Sequence, residues 1–224
     1  MIDSIGSEYS GSLYVDGECV NELVIPESVT SIGGYAFYNL VGMTSVELPE
    51  SLEALGKYAF RGCKGLTSVE IPNSVTTIRD YAFENCSGVI SVEIGSGLAS
   101  IGTRAFYNCS QLAFIDLSEG LTTIGEEAFN NCDALTHITI PSTVTSIGNS
   151  AFYSCGALNA IYLEATTPPT LGSSVFSHIS SSLKCYLACG LLGEYLASSA
   201  WTNLFSNFIE YCPSDTYHTF DYED

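Results

Sequence analysis

The residues best suited to chemistry in this chain are nine cysteines and three histidines. A cysteine thiolate can act as a nucleophile, bind a metal ion or form a disulfide. Five of the cysteines recur at intervals of 23 residues: Cys63, Cys86, Cys109, Cys132 and Cys155. The strict interval indicates one equivalent position in a repeated structure, so the repeat determines what these thiols can do.

The histidines give no support for catalysis. His137, His178 and His218 lie outside any motif that would make a histidine a base or a metal ligand. The chain contains no G-x-S-x-G, no H-E-x-x-H and no glycine-rich phosphate loop before a helix. We predict that the protein is not an enzyme, has no catalytic residue and needs no cofactor or metal.

Charge excludes further classes of function. Among the 224 residues, 25 acids face six bases, giving a formal net charge of -19. So few bases cannot replace the counterions of a nucleic acid, and they do not favour an anionic membrane surface. No apolar run approaches the roughly 20 residues that span a bilayer. The opening MIDSIGSEYSGSLYV lacks a basic stretch followed by an apolar core, so it does not resemble a signal peptide, and we expect either a cytosolic protein or a trimmed chain with an added Met1.

The whole chain is organised as a repeat. The dipeptide Ala-Phe recurs six times at intervals of 23 residues, from Ala36-Phe37 to Ala151-Phe152, and Val175-Phe176 follows one residue late. The units are 25–47, 48–70, 71–93, 94–116, 117–139 and 140–162. Each carries about eight apolar or small positions in common, which a single unit could not bury alone. Stacked units bury them against one another.

Each unit predicts a short strand and an irregular return. The pattern Leu66-x-x-Val69-x-Ile71 alternates with period two, and a proline such as Pro72 then ends the strand. The Tyr-Ala-Phe segment is expected to form a single helical or 3₁₀ turn. Parallel stacking aligns the Cα–Cβ bonds of the five repeated cysteines, which disfavours disulfides among them. We interpret these cysteines as a buried structural ladder, with disulfides or metal binding as the alternatives.

Four cysteines lie outside this ladder: Cys19, Cys185, Cys189 and Cys212. A bridge within the C-terminal cap, such as Cys185 to Cys212, is one possibility. Cys185 and Cys189 lack the companion ligands that a zinc site needs. The redox state of these four stays open at the level of sequence.

The repeat resembles the BspA-like leucine-rich repeat family, whose units run close to I-P-x-S-V-T-S-I-G-x-x-A-F-x-x-C-x-x-L-T-S-V. The unit IPSTVTSIGNSAFYSCGALNAIY at 140–162 follows it almost throughout, and the resemblance covers about 25–187. The segment 183–211 also resembles the family's closing element. The resemblance implies a bacterial or protist surface protein that adheres to host proteins or other cells.

We therefore predict one domain, a leucine-rich-repeat solenoid: a right-handed α/β-type superhelix, mostly β with short helical turns, and with a parallel sheet on one face. Residues 1–24 would form an N-terminal cap in which Leu13–Val15 pairs with Leu23–Ile25. Residues 25–187 would form six regular repeats and a degenerate seventh. Residues 188–212 would form a helical cap, and 213–224 an acidic tail.

The outward strand positions form the candidate binding surface, as is usual in solenoids. Two columns result, which are Glu47, Glu70, Glu93, Asp116, Thr139 and Tyr162, and beside them Ser45, Ser68, Ser91, Phe114, His137 and Ala160. Aligned carboxylates about 5 Å apart repel one another. They indicate a solvated face, a recognition face for a basic partner, or a set of carboxylates bridged by a divalent cation. The last is the least favoured, because carboxylates on a sheet supply few of the oxygen ligands that calcium needs.

Aromatic residues change the character of this surface along the chain. From Phe114 to Tyr162 the acids give way to Phe, His, Thr and Tyr, a mixture typical of protein interfaces. Tyr35, Tyr58 and Tyr81 form a further column, and Tyr38, Tyr107 and Tyr153 another, both expected on a different side of the solenoid.

The function favoured by these observations is non-catalytic protein binding at a cell surface. The candidate residues are Glu47, Glu70, Glu93, Asp116, Phe114, His137 and Tyr162. The expected partner is a protein ligand such as a host extracellular-matrix or plasma protein, bound by a monomer that is secreted or displayed at the cell surface. The alternative is a structural spacer of a larger surface protein, with no ligand of its own.

Overall fold

The computed structural model of the chain describes residues 13–15 and 18–212. Over this part, the 23-residue units stack as coils whose equivalent strands pair in parallel register, as between Ser68–Ile71 and Ser91–Ile94. The predicted leucine-rich-repeat solenoid is confirmed. The acidic segment 213–224 lies outside the described residues.

One side of the solenoid, which we call the strand face, carries one strand from each coil. Its strands are β3 (Glu22–Val24), β5 (Ser45–Glu47), β7 (Ser68–Ile71), β9 (Ser91–Ile94), β11 (Phe114–Asp116), β13 (His137–Ile140), β15 (Ala160–Leu163), β17 (Lys184–Ala188) and β18 (Phe208–Tyr211). They pair in three successive parallel groups, β3–β5, β7–β9–β11 and β13–β15–β17–β18. The strand face is therefore interrupted twice.

A second sheet, which the sequence analysis did not predict, runs along the solenoid. Its two-residue strands are β4 (Ser31–Ile32), β6 (Ala54–Leu55), β8 (Thr77–Ile78), β10 (Ser100–Ile101), β12 (Thr123–Ile124), β14 (Ser146–Ile147) and β16 (Thr170–Leu171). They pair in parallel, in an unbroken order from β4 to β16. The expectation of one strand per coil was wrong, because two residues are too few to show the alternation that reveals a strand in sequence.

The Tyr-Ala-Phe segment does not form the expected helical or 3₁₀ turn; it forms a run of turns. In the second coil, Tyr58 has φ +62° and Gly62 has φ +77°, which is the left-handed region. These residues orient alternate amides along the solenoid axis. The Phe60 amide, for example, donates to the Ala82 carbonyl of the next coil at 2.8 Å. A right-handed helical turn would direct those amides back into its own segment.

The core consists of apolar columns that run the length of the stack. Its centre is a ladder of phenylalanine rings with centroids 5.1 to 5.5 Å apart: Phe37, Phe60, Phe83, Phe106, Phe129, Phe152 and Phe176. Burial of each ring contributes on the order of 1.5–3 kcal/mol, which no single coil could obtain alone. The repeated Ala and Cys columns are fully buried beside it.

The N-terminal pairing differs from the expectation. Strand β1 (Leu13–Val15) pairs antiparallel with β2 (Glu18–Val20), and not with residues 23–25. Strand β3 instead pairs in parallel with β5, so Leu23 and Val24 belong to the first strand of the strand face. The reason is register, because β3 occupies the same place in its coil as every later strand of that face.

The C-terminal cap is a mixture of helix and strand. Helices α1 (Leu192–Ala197) and α2 (Ser199–Thr202) are followed by β18, which pairs in parallel with β17. The Tyr195 hydroxyl donates to the Ala165 carbonyl at 3.1 Å, and Trp201 Nε1 donates to the Pro169 carbonyl at 3.0 Å. Both rings are fully buried, so the cap closes the core. The expectation of a wholly helical cap was too simple, because β18 extends the strand face.

A disulfide holds this cap, but its cysteines are not the pair suggested by the sequence. Cys189 is bonded to Cys212, whereas Cys185 is a buried free thiol. Cys185 occupies an inward position of β17, so its side chain points into the core. Cys189 follows the end of that strand and Cys212 follows the end of β18, which places the two cysteines side by side.

Candidate functional site

The register within each group of paired strands aligns outward side chains into columns, and the sequence repeat continues these columns across the two interruptions. One column, which we call the central column, contains Val24, Glu47, Glu70, Glu93, Asp116, Thr139, Tyr162, Tyr186 and Ile209. A flanking column contains Glu22, Ser45, Ser68, Ser91, Phe114, His137, Ala160 and Lys184. All seven candidate residues from the sequence lie in these two columns.

Three carboxylates of the central column face one another directly. Glu70 pairs with Glu93, and Glu93 pairs with Asp116, in the sheet formed by β7, β9 and β11. All three are exposed. Glu47 is exposed too, but it pairs with Val24 in a separate sheet. The structure thus assembles a row of three carboxylates, with the fourth beyond an interruption of the sheet.

Basic side chains lie mainly outside the strand face. Of the six Lys and Arg residues, only Lys184 lies in a strand of the strand face. Lys57, Arg61 and Arg104 lie in the turn segments, where they form ion pairs with acids of the next coil: Asp80, Glu84 and Glu127 respectively. The row of carboxylates consequently has no basic residue among the strands that carry it.

The acidic and aromatic parts of the strand face are separated by a break in the sheet. The acidic half ends at Asp116 in β11, and the next strand, β13, pairs with β15 and not with β11. Beyond the break the central column continues with Thr139 and Tyr162. The change in composition seen in the sequence therefore coincides with a change of sheet.

The aromatic half contains a cluster of tyrosines that sequence analysis found only in part. Tyr162 stacks on Tyr186 with ring centroids 4.9 Å apart, and Tyr211 meets Tyr162 edge-on at 5.8 Å. The Tyr211 hydroxyl donates to Glu164 Oε1 at 3.3 Å. Burial raises the pKa of Tyr162, of Glu164 and of Tyr211, the last to about 12. These groups form a partly desolvated surface beside the acidic half.

A groove of about 350 Å³ opens beside this cluster, between the coils that carry β15 and β17. It is lined by Asn159, Ala160, Tyr162, Ser182, Lys184 and Tyr186. Tyr186 and Lys184 follow Tyr162 and Ala160 by 24 residues, not 23, so a strict count of the repeat misses them. The late Val175-Phe176 was the signal that the register shifts by one residue at this point.

The two other predicted residues of this region lie at its edge. His137 and Phe114 are half-buried neighbours in the flanking column, with ring centroids 6.3 Å apart. The His137 Nδ1 atom is 3.0 Å from the Thr136 hydroxyl. Both rings lie beside the break between β11 and β13, and so connect the acidic half with the aromatic half.

The cysteine ladder lies in the core, away from the strand face. Each ladder thiol donates to the carbonyl of a phenylalanine in the preceding coil, as Cys86 does to Phe60 at 3.0 Å and Cys109 to Phe83 at 3.3 Å. Burial raises the pKa of Cys63, Cys109 and Cys155 to about 12, and raises that of the other two as well. Such thiols are poor nucleophiles and pack as small apolar groups.

Within the part of the chain that the structure describes, no group of three or more His, Cys, Asp or Glu side chains is placed to hold a metal ion. The helices described there are all too short or too polar to cross a membrane.

A stack of coils with a parallel strand face, a phenylalanine ladder and end caps defines a leucine-rich-repeat protein. The chain belongs to the family described as the BspA type leucine rich repeat region, whose sequence profile, in six copies, matches residues 13–119 and 100–195. The family resemblance noted from the sequence is confirmed. Proteins built from such repeats are generally structural or binding modules, not enzymes.

Two solved structures show the same fold. A leucine rich cell surface protein from Faecalibacterium prausnitzii A2-165 is 26% identical, with a TM-score of 0.52, over 83% of this chain and 62% of that protein. A leucine-rich repeat protein from Eubacterium ventriosum ATCC 27560 is 23% identical, with a TM-score of 0.67, over 76% of this chain and 45% of that protein. The chain thus spans less than two thirds of either relative. No curated protein matches the chain in sequence.

Proposed function

We propose that this chain is the binding module of a cell-surface protein, and that it binds a protein ligand through the strand face. The observation that carries the proposal is the exposed row formed by Glu70, Glu93 and Asp116 on three paired strands. Like charges on neighbouring strands destabilise a sheet, so this row costs folding free energy. A basic segment of a partner would offset that cost when it binds.

The aromatic half supports a ligand that is more than a basic chain. Tyrosines are enriched at protein interfaces because one end of the side chain is apolar and the other forms hydrogen bonds. The groove beside Tyr162 and Tyr186 has room for a side chain of the partner. We expect the ligand to place basic residues on the acidic half and an apolar or aromatic residue in this groove.

Cell-surface location is part of the proposal. One relative of this fold is described as a cell surface protein. The disulfide between Cys189 and Cys212 agrees with an oxidising environment, where such bonds persist. Extracellular-matrix and plasma proteins are therefore the appropriate first panel of ligands.

The test compares two triple variants with the unmodified chain in label-free binding to that panel at physiological salt. Glu70→Ala, Glu93→Ala and Asp116→Ala together remove the row. Glu50→Ala, Glu126→Ala and Asp133→Ala remove the same charge from exposed positions outside the strand face. We expect saturable binding that the first variant weakens at least tenfold, while the second leaves it within twofold. Equal effects of the two triple variants would indicate a general charge effect and contradict the proposed face. If the unmodified chain binds no protein of the panel, the structural-spacer alternative is favoured.

A further inference from the structure

A notch beside the turn segments that carry Arg61 and Asn85 is a second candidate site, away from the strand face. It has a volume of about 350 Å³ and is lined, among others, by Asn39, Arg61, Gly62, Lys64, Asn85 and Ser87. Its position follows from an interruption in a ladder. The equivalent left-handed position of successive coils is held by Asn39, Gly62, Asn85, Asn108, Asn131, Ser154 and His178. Only in the second coil is the side chain missing.

The glycine interrupts the ladder of side chains at this position. Where the ladder is intact, Asn108 Nδ2 donates to Asn85 Oδ1 at 2.9 Å, so neighbouring amides satisfy each other. Gly62 provides no such partner for Asn85 on its other side. The Asn39 amide leans over Gly62, close to the position that a Cβ would occupy. The side-chain amides of Asn39 and Asn85 therefore line an opening, and each can still donate or accept a hydrogen bond there.

Arg61 is held in place at the edge of this notch. Its Nε atom forms an ion pair with the buried Glu84 carboxylate, and its Nη1 atom donates to the Tyr38 hydroxyl at 3.1 Å. Its guanidinium carbon also lies 5.7 Å from the centre of the Tyr58 ring. An arginine has five N–H donors, so others remain for a ligand. The Tyr38 hydroxyl, having accepted from Arg61, keeps its own proton to donate.

Lys64 gives the notch a net positive charge. Its side chain is exposed. Arg61 and Lys64 carry two positive charges against the single negative charge of Glu84, and among the described residues that line the notch none is acidic. This excess of one is unusual on a chain with a net charge of -19. A ligand with one negative charge matches this excess, because the rest of the molecule would repel a polyanion more strongly.

We propose that the notch binds a sugar that carries a single carboxylate. The carboxylate would accept hydrogen bonds from Lys64 and from the free N–H groups of Arg61. The sugar hydroxyls would exchange hydrogen bonds with the amides of Asn39 and Asn85 and with the Ser87 hydroxyl. A polar lining of this kind suits a sugar better than an apolar ligand, and the volume lies at the lower end for small-molecule sites. The site is independent of the proposed protein-binding face.

The experiment is a saturation-transfer NMR titration of the full chain with N-acetylneuraminic acid and with glucuronic acid. Glucose, acetate and a triglutamate peptide serve as comparison ligands. We expect saturable binding of at least one acidic sugar, at least tenfold tighter than glucose or acetate. If acetate binds the chain as tightly as the acidic sugars do, the notch is a simple charge site. If triglutamate binds more tightly than the sugars, the notch is a site for an acidic peptide. Either result would overturn the proposal.

Variants locate the binding. Lys64→Gln should weaken it at least fivefold, whereas Arg79→Gln removes the same charge from another exposed side chain and should leave it unchanged. The variant lacking the Glu70, Glu93 and Asp116 carboxylates should bind the sugar as the unmodified chain does. An equal loss of binding in the Lys64 and Arg79 variants would refute the site. It would also be refuted if neither sugar binds at millimolar concentration. Failure here would leave the protein-binding proposal intact.

Discussion

The Cys86 thiol donates a hydrogen bond to the carbonyl of Phe60, which lies 26 positions earlier and in the preceding coil. The same relation recurs for the other four ladder cysteines, at 3.0 to 3.3 Å. One side chain thereby connects two coils and fills the stripe beside the phenylalanine ladder. The hydrogen bond requires a protonated thiol in a dry environment, and this determines how stability depends on pH.

We predict that the protein loses stability as pH rises above about 9. An unfolded cysteine has its ordinary pKa of 9.0, whereas burial raises the pKa of Cys63 to about 12 in the folded protein. Between these values the folded chain binds more protons than the unfolded chain, so the free energy of unfolding falls as pH increases. Below pH 9 the contribution is fully present. Urea denaturation at pH 7, 9 and 10.5 measures the fall.

The control for this prediction removes one ladder thiol. Cys86→Ala should lower stability at pH 7 by about 1–2 kcal/mol, because it loses the buried sulfur and its hydrogen bond. It should also show a shallower loss between pH 9 and 10.5 than the unmodified chain. Identical slopes for the two proteins would contradict the assignment of the pH dependence to the ladder.

The disulfide between Cys189 and Cys212 should stabilise the C-terminal cap by about 3 kcal/mol, since it closes a loop with a sequence separation of 23. Trp201, the only tryptophan, is buried in that cap and reports its unfolding by fluorescence. Cys189→Ser, Cys212→Ser and the double variant should all lose the same amount. Dithiothreitol should bring the unmodified chain to their level, and an additive loss in the double variant would disprove the bond.

Glu93→Gln should stabilise the protein by about 0.5 kcal/mol, because Glu93 faces Glu70 on one side and Asp116 on the other. The gain should shrink in 1 M salt, which screens exposed charges. Glu53→Gln changes an exposed carboxylate outside the strand face and should have no such effect. Thermal unfolding at low and high salt compares the two, and no difference between them would argue against repulsion within the row.

The left-handed turns predict an unusual order of preference at Asn131, whose φ is +60°. Asn131→Gly should be close to neutral, and Asn131→Ala should be less stable than the glycine variant by about 1 kcal/mol, because a Cβ is strained at positive φ. At the exposed Gln111, which is not among the residues with positive φ, alanine should be the more stable of the two. Chemical denaturation of the alanine and glycine variants at both positions measures these differences in stability. If Asn131→Ala is more stable than Asn131→Gly, the turn is not left-handed in solution.

The sequence alone was sufficient to predict the solenoid, its core columns and the outward row of Glu70, Glu93 and Asp116. A 23-residue interval between identical dipeptides places equivalent residues above one another, whatever the detailed path of each coil. Period-two alternation then separates inward from outward side chains. Both signals depend only on spacing along the chain, so they can be read before the chain is folded.

Tertiary structure decided the features that depend on distance between coils. Cys189 bonds to Cys212 because the two cysteines follow the ends of the paired strands β17 and β18. Cys185 does not, because its side chain points into the core. Tyr186 and Tyr211 join Tyr162 only because β17 and β18 pair after a shift of one residue in the repeat. The notch lies at Gly62, where one coil lacks the side chain that its neighbours carry, and only the stacking of the coils brings those positions together. A sequence specifies which residues are equivalent, but contacts between coils decide which of them meet.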